Sequence, residues 1–278
     1  MINSVKRKFP IYDMRGTFAL RNTVRIPFLG MNVSQIHEGK PIFNATKRAL
    51  QIGYRHFDCA TKYNNINGVG QAIKESQIDR NDVFISLKIG DEFQGFENTI
   101  EVYHQLIAES GLRYIDLLLI EHPLENVVGE TWRALEQLYV ERRVRAIGVC
   151  NYTKPQLQEL VMQADVFPVV NQVEFNVLKA DHELMEYCVD KGIQLVSIGA
   201  LKHGEILDLP EIQELAIKYK VEPSQIALRW ILQNGVVSIP QAELREHLLI
   251  NSALFNFELS DEDMLLLDQL SQKELVQF

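Results

Sequence analysis

Short apolar runs rich in β-branched residues recur along the chain at fairly even intervals. Eight of them are RIPFLGM (25–31), HFDCA (56–60), VFISLKI (83–89), IDLLLIE (115–121), AIGVC (146–150), VVNQVEF (169–175), QLVSIGA (194–200) and VVSIP (236–240). Their largely apolar character is typical of strands that are buried on both faces. Amphipathic stretches with helical spacing, such as NTIEVYHQLIAES and TWRALEQLYVERR, separate these runs. The pattern predicts an α/β fold in which strands alternate with helices.

The number of strand–helix units favours a (β/α)8 barrel, the TIM-barrel architecture, over a doubly wound sheet. Three segments lie outside the repeat. TFALRNTVRIPF (17–28) predicts an N-terminal β-hairpin that covers the bottom of the barrel. Towards the C-terminus, SQIALRWILQNG (224–235) predicts an extra helix before the last strand, and SDEDMLLLDQLSQ (260–272) predicts a final helix capped by Ser260.

Composition limits the domain organisation and the partners. The 278 residues include 46% hydrophobic and 23% charged residues and contain no linker, so we expect a single domain over residues 1–278. The net charge of −9 argues against a nucleic-acid or anionic membrane surface. Three widely spaced cysteines and the lack of a long apolar run favour a cytoplasmic protein with reduced thiols. These features leave the oligomeric state open.

Polar residues interrupt or end the apolar runs at one end of the expected barrel. They are Asp58, Lys88, Glu121, His122, Asn151, Gln172 and Gln241. The active site of a (β/α)8 barrel lies at the C-terminal ends of its strands, although a single polar residue there is commonly only a solvated strand end. As a ring, these residues predict an active site. We expect no metal site, because the sequence has no histidine–cysteine group with metal-ligand spacing.

From about residue 17 to 270 the chain resembles the aldo-keto reductase family. The resemblance is carried by ALQIGYRHFDCATKYNN (49–65), VFISLKIG (83–90), YIDLLLIEHP (114–123), RAIGVCNY (145–152), PVVNQVEFN (168–176), SQIALRWILQNGVVSIP (224–240) and NFELSDEDM (256–264). The order, the spacing and the barrel positions of these segments agree together. The resemblance implies an enzyme that uses NADPH or NADH to reduce a carbonyl group of a small-molecule substrate.

The residue types at the strand ends suit that chemistry. Hydride addition to a carbonyl carbon leaves an alkoxide that needs a proton. A tyrosine, with an ordinary pKa of about 10, becomes a better donor when a nearby ammonium lowers its pKa. By the resemblance, Tyr63 is the acid, Lys88 is the ammonium and Asp58 is the carboxylate that holds it.

The resemblance also implies cofactor contacts, with two departures. Asn151 and Gln172 match the pair that binds the nicotinamide carboxamide, and Asn251 matches an adenine contact. The aromatic residue that stacks on the nicotinamide in the family is replaced by Ile198. The pyrophosphate loop, L-G-x-G in the family, reads LKHG from Leu201 onwards. We expect Ile198 and Leu201 to contact the cofactor.

The grip on the 2′-phosphate of NADPH departs further from the family. The family reads I-P-K-S, followed five residues later by an arginine, whereas this chain has Gln241, Ala242 and His247 at those positions. Loss of the charge-assisted hydrogen bonds costs roughly 3–6 kcal/mol of binding free energy. We therefore expect a preference shifted from NADPH towards NADH, with Arg245 as a partial substitute for the lost charge.

The end of the fourth barrel strand differs from the family at the catalytic position. The family reads L-I-H-W-P, and this chain reads L-I-E-H-P, with Glu121 in place of the catalytic histidine and His122 in place of the tryptophan. Side chains alternate along a strand, so the two cannot both face the barrel mouth unless a bulge swings His122 inwards. After the first strand, LGMNVS replaces the family's LGxGT. We expect His122 and Asn32 to contact the substrate.

Glu121 follows an apolar run, and we expect it to face the pocket as a largely protonated catalytic acid, because dry surroundings raise the pKa of a carboxyl. The alternative is a solvated glutamate paired with a surface lysine. A protonated Glu121 favours an unusual carbonyl or an activated C=C bond as the substrate.

Two other functions stay open. One is an enzyme that has lost hydride transfer and catalyses isomerisation, cyclisation or dehydration, and the other is a non-catalytic binding protein.

Overall fold

An antiparallel hairpin and an eight-stranded parallel sheet form the framework of the computed structural model, which describes residues 11–274. The hairpin pairs β1 (Thr17–Ala19) with β2 (Arg25–Pro27). The parallel sheet contains β3 (Met31–Asn32), β4 (His56–Ala60), β5 (Phe84–Ile89), β6 (Ile115–Ile120), β7 (Val144–Cys150), β8 (Val170–Glu174), β9 (Gln194–Ile198) and β10 (Val237–Ser238). Each of these strands pairs in parallel with the next one along the chain.

Backbone contacts between the first and last strands close the sheet. Leu29 and Asn32 form isolated parallel bridges with Ser238 and Gln241, respectively. The Gly30 amide donates a hydrogen bond to the Ser238 carbonyl at 2.9 Å. This closed order of parallel strands confirms the predicted (β/α)8 barrel.

The helices of the described residues pack against the sheet and against one another; most of them connect consecutive strands, and the last two follow the final strand. They are α1 (Lys40–Ile52), α2 (Ile66–Ser76), α3 (Phe96–Ser110), α4 (Val128–Val140), α5 (Lys154–Gln163), α6 (His182–Lys191), α7 (Pro210–Tyr219), α8 (Pro223–Gln233), α9 (Arg245–Ser252) and α10 (Asp261–Glu274). Both α7 and α8 lie between β9 and β10, so the predicted extra helix is present. The Ser260 hydroxyl accepts a hydrogen bond from the Asp263 amide at 3.2 Å, which confirms the predicted cap of α10.

The hairpin lies against the amino-terminal ends of the strands. Asn22 donates a hydrogen bond to the Arg145 carbonyl at 3.0 Å, close to the start of β7. Arg21 donates to the Lys191 carbonyl at 3.0 Å, just before β9, and its guanidinium lies 4.5 Å from the ring centre of Phe167. The hairpin therefore covers the bottom of the barrel, as predicted, and leaves the C-terminal ends of the strands open.

The first predicted strand, 25–31, is divided between the two sheets. Pro27 ends β2, and it has no amide hydrogen with which to continue a ladder. The chain then crosses to β3 through Gly30, where a Cβ atom would lie only 2.8 Å from Cγ of the His56 ring. A single apolar run thus supplies strands to both sheets, a division that the residue pattern does not reveal.

Candidate active site

Asp58 and Lys88 form a buried ion pair on two adjacent strands. β4 and β5 pair with Asp58 opposite Ser86 and Ala60 opposite Lys88, and both strands are buried along their whole length. The Lys88 ammonium donates a hydrogen bond to Asp58 Oδ2. Burial acts to lower the pKa of Lys88, but the Asp58 charge outweighs burial and holds this pKa above its ordinary value. Lys88 is therefore charged at neutral pH.

Tyr63 lies beside this pair, at the end of a short 3-10 segment, Thr61–Tyr63, that follows β4. Its ring centre is 5.1 Å from Lys88 Nζ. Burial raises the pKa of Tyr63, and the charge and hydrogen bond of Lys88 lower this pKa without cancelling the effect of burial. The ammonium thus acts in the direction expected from the sequence, but the pKa of Tyr63 stays above its ordinary value.

Asp58 is held by neutral donors as well as by Lys88. Ser86 Oγ donates to Asp58 Oδ1 at 2.7 Å, and the His56 ring lies behind it, with Nε2 at 3.0 Å from Ser86 Oγ. Burial lowers the pKa of His56 to about 4, so this histidine is neutral at pH 7. Because Ser86 donates its own proton to Asp58, His56 donates from Nε2. A chain of polar groups therefore runs through the apolar barrel and ends at Lys88.

Gln172 supplies a further hydrogen bond to the same carboxylate. Its Nε2 donates to Asp58 Oδ1 at 3.0 Å, and its Oε1 accepts from Cys150 Sγ at 3.1 Å. The side chain is 1% exposed. Gln172 therefore orients Asp58, and its contact with a nicotinamide stays a prediction.

Glu121 carries an ion pair that the sequence pattern does not identify. Its backbone extends the β6 ladder by donating to the Ile89 carbonyl at 3.0 Å. Its side chain is 6% exposed, and Oε1 lies 2.6 Å from the ammonium of Lys62. The role of Glu121 as a largely protonated catalytic acid stays a prediction. The lysine of the alternative reading is present, although Glu121 is buried rather than solvated.

Lys62 directly precedes Tyr63, is 47% exposed and places Nζ 5.9 Å from the tyrosine ring centre. Burial acts to lower the pKa of Lys62, but the hydrogen bond and the charge of Glu121 raise it above its ordinary value. The sequence contains only indirect signals for these neighbours. Lys62 is adjacent to the candidate acid, and His56 and Ser86 each stand two positions before a candidate residue, on the same face of a strand.

The side chain of His122 lies on the opposite side of the chain from the side chain of Glu121. β5 and β6 pair residue by residue up to Ile89 and Ile120, so the alternative in which a bulge swings His122 inwards is wrong. His122 Nδ1 lies 2.9 Å from Asp91 Oδ1, and both side chains are partly exposed. Contact of His122 with a substrate stays a prediction.

A cleft of about 400 Å³ opens beside the candidate acid. It is lined by Gln35, Ile36, His37, Glu38, Lys62, Tyr63 and Asn64. Asn32, a predicted substrate contact, lies deeper and is 9% exposed. It donates to Asp58 Oδ2 at 3.5 Å and accepts from the Ser34 amide at 2.7 Å. Asn32 thus supports the buried pair, and its contact with substrate stays a prediction.

The residues predicted to contact the cofactor lie at the ends of β7 and β9 and on α9. Asn151 is exposed, has a φ of 61° and donates from its side chain to the Glu121 carbonyl at 3.0 Å. Ile198 ends β9 and is partly buried. Leu201 immediately precedes the 3-10 segment after β9. Asn251 is 3% exposed near the end of α9.

The positions at which the family binds the 2′-phosphate of NADPH correspond to residues around the loop between β10 and α9. Gln241 Nε2 donates to the Ser34 carbonyl at 2.9 Å, and Ala242 is buried. Arg245 and His247 are exposed in the first turn of α9. Of these four side chains, Arg245 is the one that carries a permanent positive charge.

Known proteins are similar to this chain in both sequence and architecture. A family model described as the Aldo/keto reductase family matches residues 40–272. The chain is 40% identical over 265 residues to glyoxal reductase of Bacillus subtilis (strain 168), a match that covers 95% of this chain and 96% of that protein. The chain belongs to the aldo/keto reductase family.

Solved aldo-keto reductases superpose on the barrel. The crystal structure of MGS-M4, an aldo-keto reductase from a Medee basin deep-sea metagenome library, has a TM-score of 0.88 at 35% identity, covering 91% of this chain and 94% of that one. An aldo-keto reductase solved in complex with NADPH has a TM-score of 0.85 at 28% identity, covering 92% of this chain and 87% of that one. The protein is therefore an enzyme of a family of NAD(P)H-dependent oxidoreductases.

Two other kinds of site are not found among residues 11–274. No helix in this part of the chain is long and apolar enough to cross a membrane. Within the same residues, no group of three or more histidine, cysteine, aspartate or glutamate side chains is placed to hold a metal ion.

Proposed function

We propose that this protein is an NAD(P)H-dependent reductase of small carbonyl compounds in which Tyr63 donates the proton. The observation that carries the proposal is the position of Tyr63 beside the buried pair of Lys88 and Asp58, at the C-terminal end of the barrel. A phenol next to an ammonium that is itself held by a carboxylate can donate a proton and have its phenolate stabilised.

Each of these side chains has a separate task in the reduction. A bound nicotinamide supplies the hydride that reduces the carbonyl carbon. The Tyr63 hydroxyl donates its proton to the carbonyl oxygen, so that an alcohol forms. Lys88 stabilises the phenolate that is left on Tyr63, and Asp58 keeps Lys88 charged and in place. Tyr63 then regains a proton from solvent through the cleft that it lines.

The donor set at the strand ends fits a nicotinamide ring with its carboxamide. Asn151 provides an exposed amide at the end of β7, and Ile198 provides an apolar side chain at the end of β9. We propose these two as contacts of the nicotinamide, with Leu201 next to the pyrophosphate and Asn251 next to the adenine. Gln172 acts on this side of the site through Asp58, which it orients.

We propose a small 1,2-dicarbonyl compound as the substrate. The relative from Bacillus subtilis is named glyoxal reductase, and glyoxal is a 1,2-dicarbonyl. The cleft beside Tyr63 is small, and polar side chains such as Gln35, His37 and Lys62 line it. Such a cleft suits a small polar substrate better than a large apolar one.

Reduction of a C=C bond receives less support. That reaction would use Glu121 as a proton donor to polarise the substrate. Glu121 Oε1 instead lies 2.6 Å from the ammonium of Lys62 and accepts its hydrogen bond, so this oxygen is already engaged within the protein.

For the cofactor, we propose that NADH binds at least as well as NADPH. Gln241 is engaged with the Ser34 carbonyl and Ala242 is buried, so neither offers a positive charge to a 2′-phosphate. Arg245 remains as an exposed cation in the same region.

The test is the consumption of NADH or NADPH by the purified protein with methylglyoxal as the substrate. We expect turnover by the wild type and a loss of about 100-fold or more in kcat for Tyr63→Phe, since general acid catalysis contributes roughly 10²–10⁴-fold. Tyr12→Phe is the matched control, because Tyr12 is 77% exposed and lies outside the site. Absence of turnover with both cofactors, or full activity of Tyr63→Phe, contradicts the proposed function.

A further inference from the structure

Two lysine–carboxylate pairs flank the ring of Tyr63. In the first pair, both Lys88 and Asp58 are buried, and Lys88 Nζ lies 5.1 Å from the ring centre. In the second pair, Glu121 is buried, but Lys62 is 47% exposed, and its Nζ lies 5.9 Å from the same ring centre. The first pair is closed off from solvent, whereas the second presents a half-exposed ammonium beside the cleft.

The Lys62 ammonium has N–H donors that its contact with Glu121 does not use. It carries three N–H donors. Among the residues that the structure describes, Glu121 is its hydrogen-bond and ion-pair partner, at 2.6 Å. Lys62 and Tyr63 line the same cleft. A substrate that reaches the Tyr63 hydroxyl through this cleft therefore passes within reach of the remaining donors.

We propose that Lys62 is a substrate-binding residue whose ammonium, anchored by Glu121, donates a hydrogen bond to a second oxygen of the substrate, next to the carbonyl that Tyr63 protonates. The inference rests on the proposed function and adds a second subsite to it. A carbonyl compound with one oxygen leaves this subsite empty, and a 1,2-dicarbonyl or a 2-hydroxy carbonyl compound fills it.

The charges around the cleft select a neutral second oxygen. The charge of Lys62 is already balanced by Glu121, and Glu38 adds a further carboxylate to the lining of the cleft. A substrate carboxylate would therefore meet no net positive charge here. A ketone or hydroxyl oxygen requires only a donor, which Lys62 provides.

This arrangement gives Glu121 a positioning role. Its carboxylate takes one N–H of Lys62 and restrains the flexible four-carbon stem of that side chain. Restraint before binding lowers the entropy cost of ordering Lys62 around the substrate. Glu121 therefore acts through Lys62 and does not itself exchange a proton with the substrate.

The experiment compares two substrates that differ by one oxygen. Methylglyoxal and propanal share a three-carbon aldehyde, and methylglyoxal has a ketone where propanal has a methylene group. A hydrogen bond to a charged donor corresponds to roughly 10- to 100-fold in binding. We expect Lys62→Met to lower kcat/KM for methylglyoxal about 10- to 100-fold more than for propanal, chiefly through KM, and Lys62→Arg to restore part of the loss.

Controls separate a lost contact from a damaged fold. The double variant Lys62→Met with Glu121→Gln removes both charges, so that no buried carboxylate is left without a partner, and we expect the same discrimination to be lost. Lys47→Met is the matched control, because Lys47 pairs with Glu75 at 3.8 Å on the outer helices and is 44% exposed. We expect its kinetics with both substrates to equal those of the wild type.

A binding measurement keeps this inference separate from the proposed function. Ligand-observed NMR without cofactor compares hydroxyacetone with butanone, which have the same number of non-hydrogen atoms and differ by a terminal hydroxyl group in place of a methyl group. We expect the wild type to bind hydroxyacetone more tightly and Lys62→Met to bind the two alike. If the wild type binds both alike, or if Lys62→Met loses equal activity on methylglyoxal and propanal, the inference is overturned even where the carbonyl reductase function holds. If hydroxyacetone is preferred but no nicotinamide is consumed, the proposed function fails and the subsite stands.

Discussion

Glu121 Oε1 lies 2.6 Å from the ammonium of Lys62, and this contact joins the loop after β4 to the end of β6. β5 separates these two strands in the sheet, and it carries Lys88. The ion pair between Lys62 and Glu121 thus spans the end of β5, the strand that carries the buried Lys88 ammonium. In this barrel, a half-exposed ammonium is therefore anchored by a buried carboxylate at the end of β6.

The first prediction concerns Glu121→Gln. Because the anchoring charge is lost and an amide of similar shape is kept, we expect KM for methylglyoxal to rise about 3- to 10-fold, with kcat within about twofold of the wild type. Steady-state kinetics measures both values, with Glu125→Gln on the exposed loop after β6 as the control. A fall of 100-fold in kcat would instead identify Glu121 as a proton donor.

The second prediction concerns the buried pair. Lys88→Met leaves the Asp58 carboxylate buried without its counter-ion, and we expect a loss of about 3–5 kcal/mol in the free energy of unfolding. The double variant Lys88→Met with Asp58→Asn should recover most of this stability and remain inactive, since the charge next to Tyr63 is still missing. Urea unfolding and turnover with methylglyoxal test the two parts. Equal stability of the single and double variants would contradict the buried ion pair.

The third prediction concerns pH. Burial lowers the pKa of His56 to about 4, so between this value and its ordinary pKa the unfolded chain binds a proton that the folded protein does not. The stability from His56 is therefore fully present above about pH 6.5 and is lost as the pH falls towards 4. We expect His56 to account for a loss of about 2 kcal/mol between pH 7 and pH 5. Urea unfolding of His56→Gln should show a correspondingly smaller change over this range, and an identical change would rule the effect out.

The fourth prediction concerns cofactor choice. Gln241→Lys places a cation where the family has one, and we expect NADPH to bind about 10-fold more tightly while NADH binding is unchanged. Arg245→Ala should weaken NADPH binding and spare NADH. Fluorescence titration of both variants with both cofactors checks these outcomes. A wild type that already binds NADPH far more tightly than NADH would show that other groups hold the 2′-phosphate.

The sequence pattern predicts the architecture well, because strand and helix periodicities are local properties. It fails for 25–31, where one apolar run serves two sheets and the closing bridge at Leu29 depends on a strand more than 200 residues away. Asp58 and Lys88 are predictable because each interrupts an apolar strand, and the parallel register brings them together.

The neighbours that set the charge of the site are less predictable. Lys62 looks like an ordinary polar loop residue, and its pairing with Glu121 depends on a contact across β5. The expectation of a protonated Glu121 starts from its apolar surroundings and does not include this partner. The roles of Ser86 and His56 are also difficult to predict from the sequence, because their hydrogen bonds depend on how two strands are aligned.

The most direct test of carbonyl reduction by this protein follows the hydrogen that is transferred from NADH to the substrate. NADH carrying deuterium at the transferred ring position is mixed with methylglyoxal and the protein, and the alcohol product is analysed by mass spectrometry. We predict one deuterium on the new carbinol carbon with the wild type, and formation of the labelled alcohol about 100-fold more slowly with Tyr63→Phe. An alcohol without deuterium, or labelled alcohol formed at the wild-type rate by Tyr63→Phe, would contradict carbonyl reduction with Tyr63 as the proton donor.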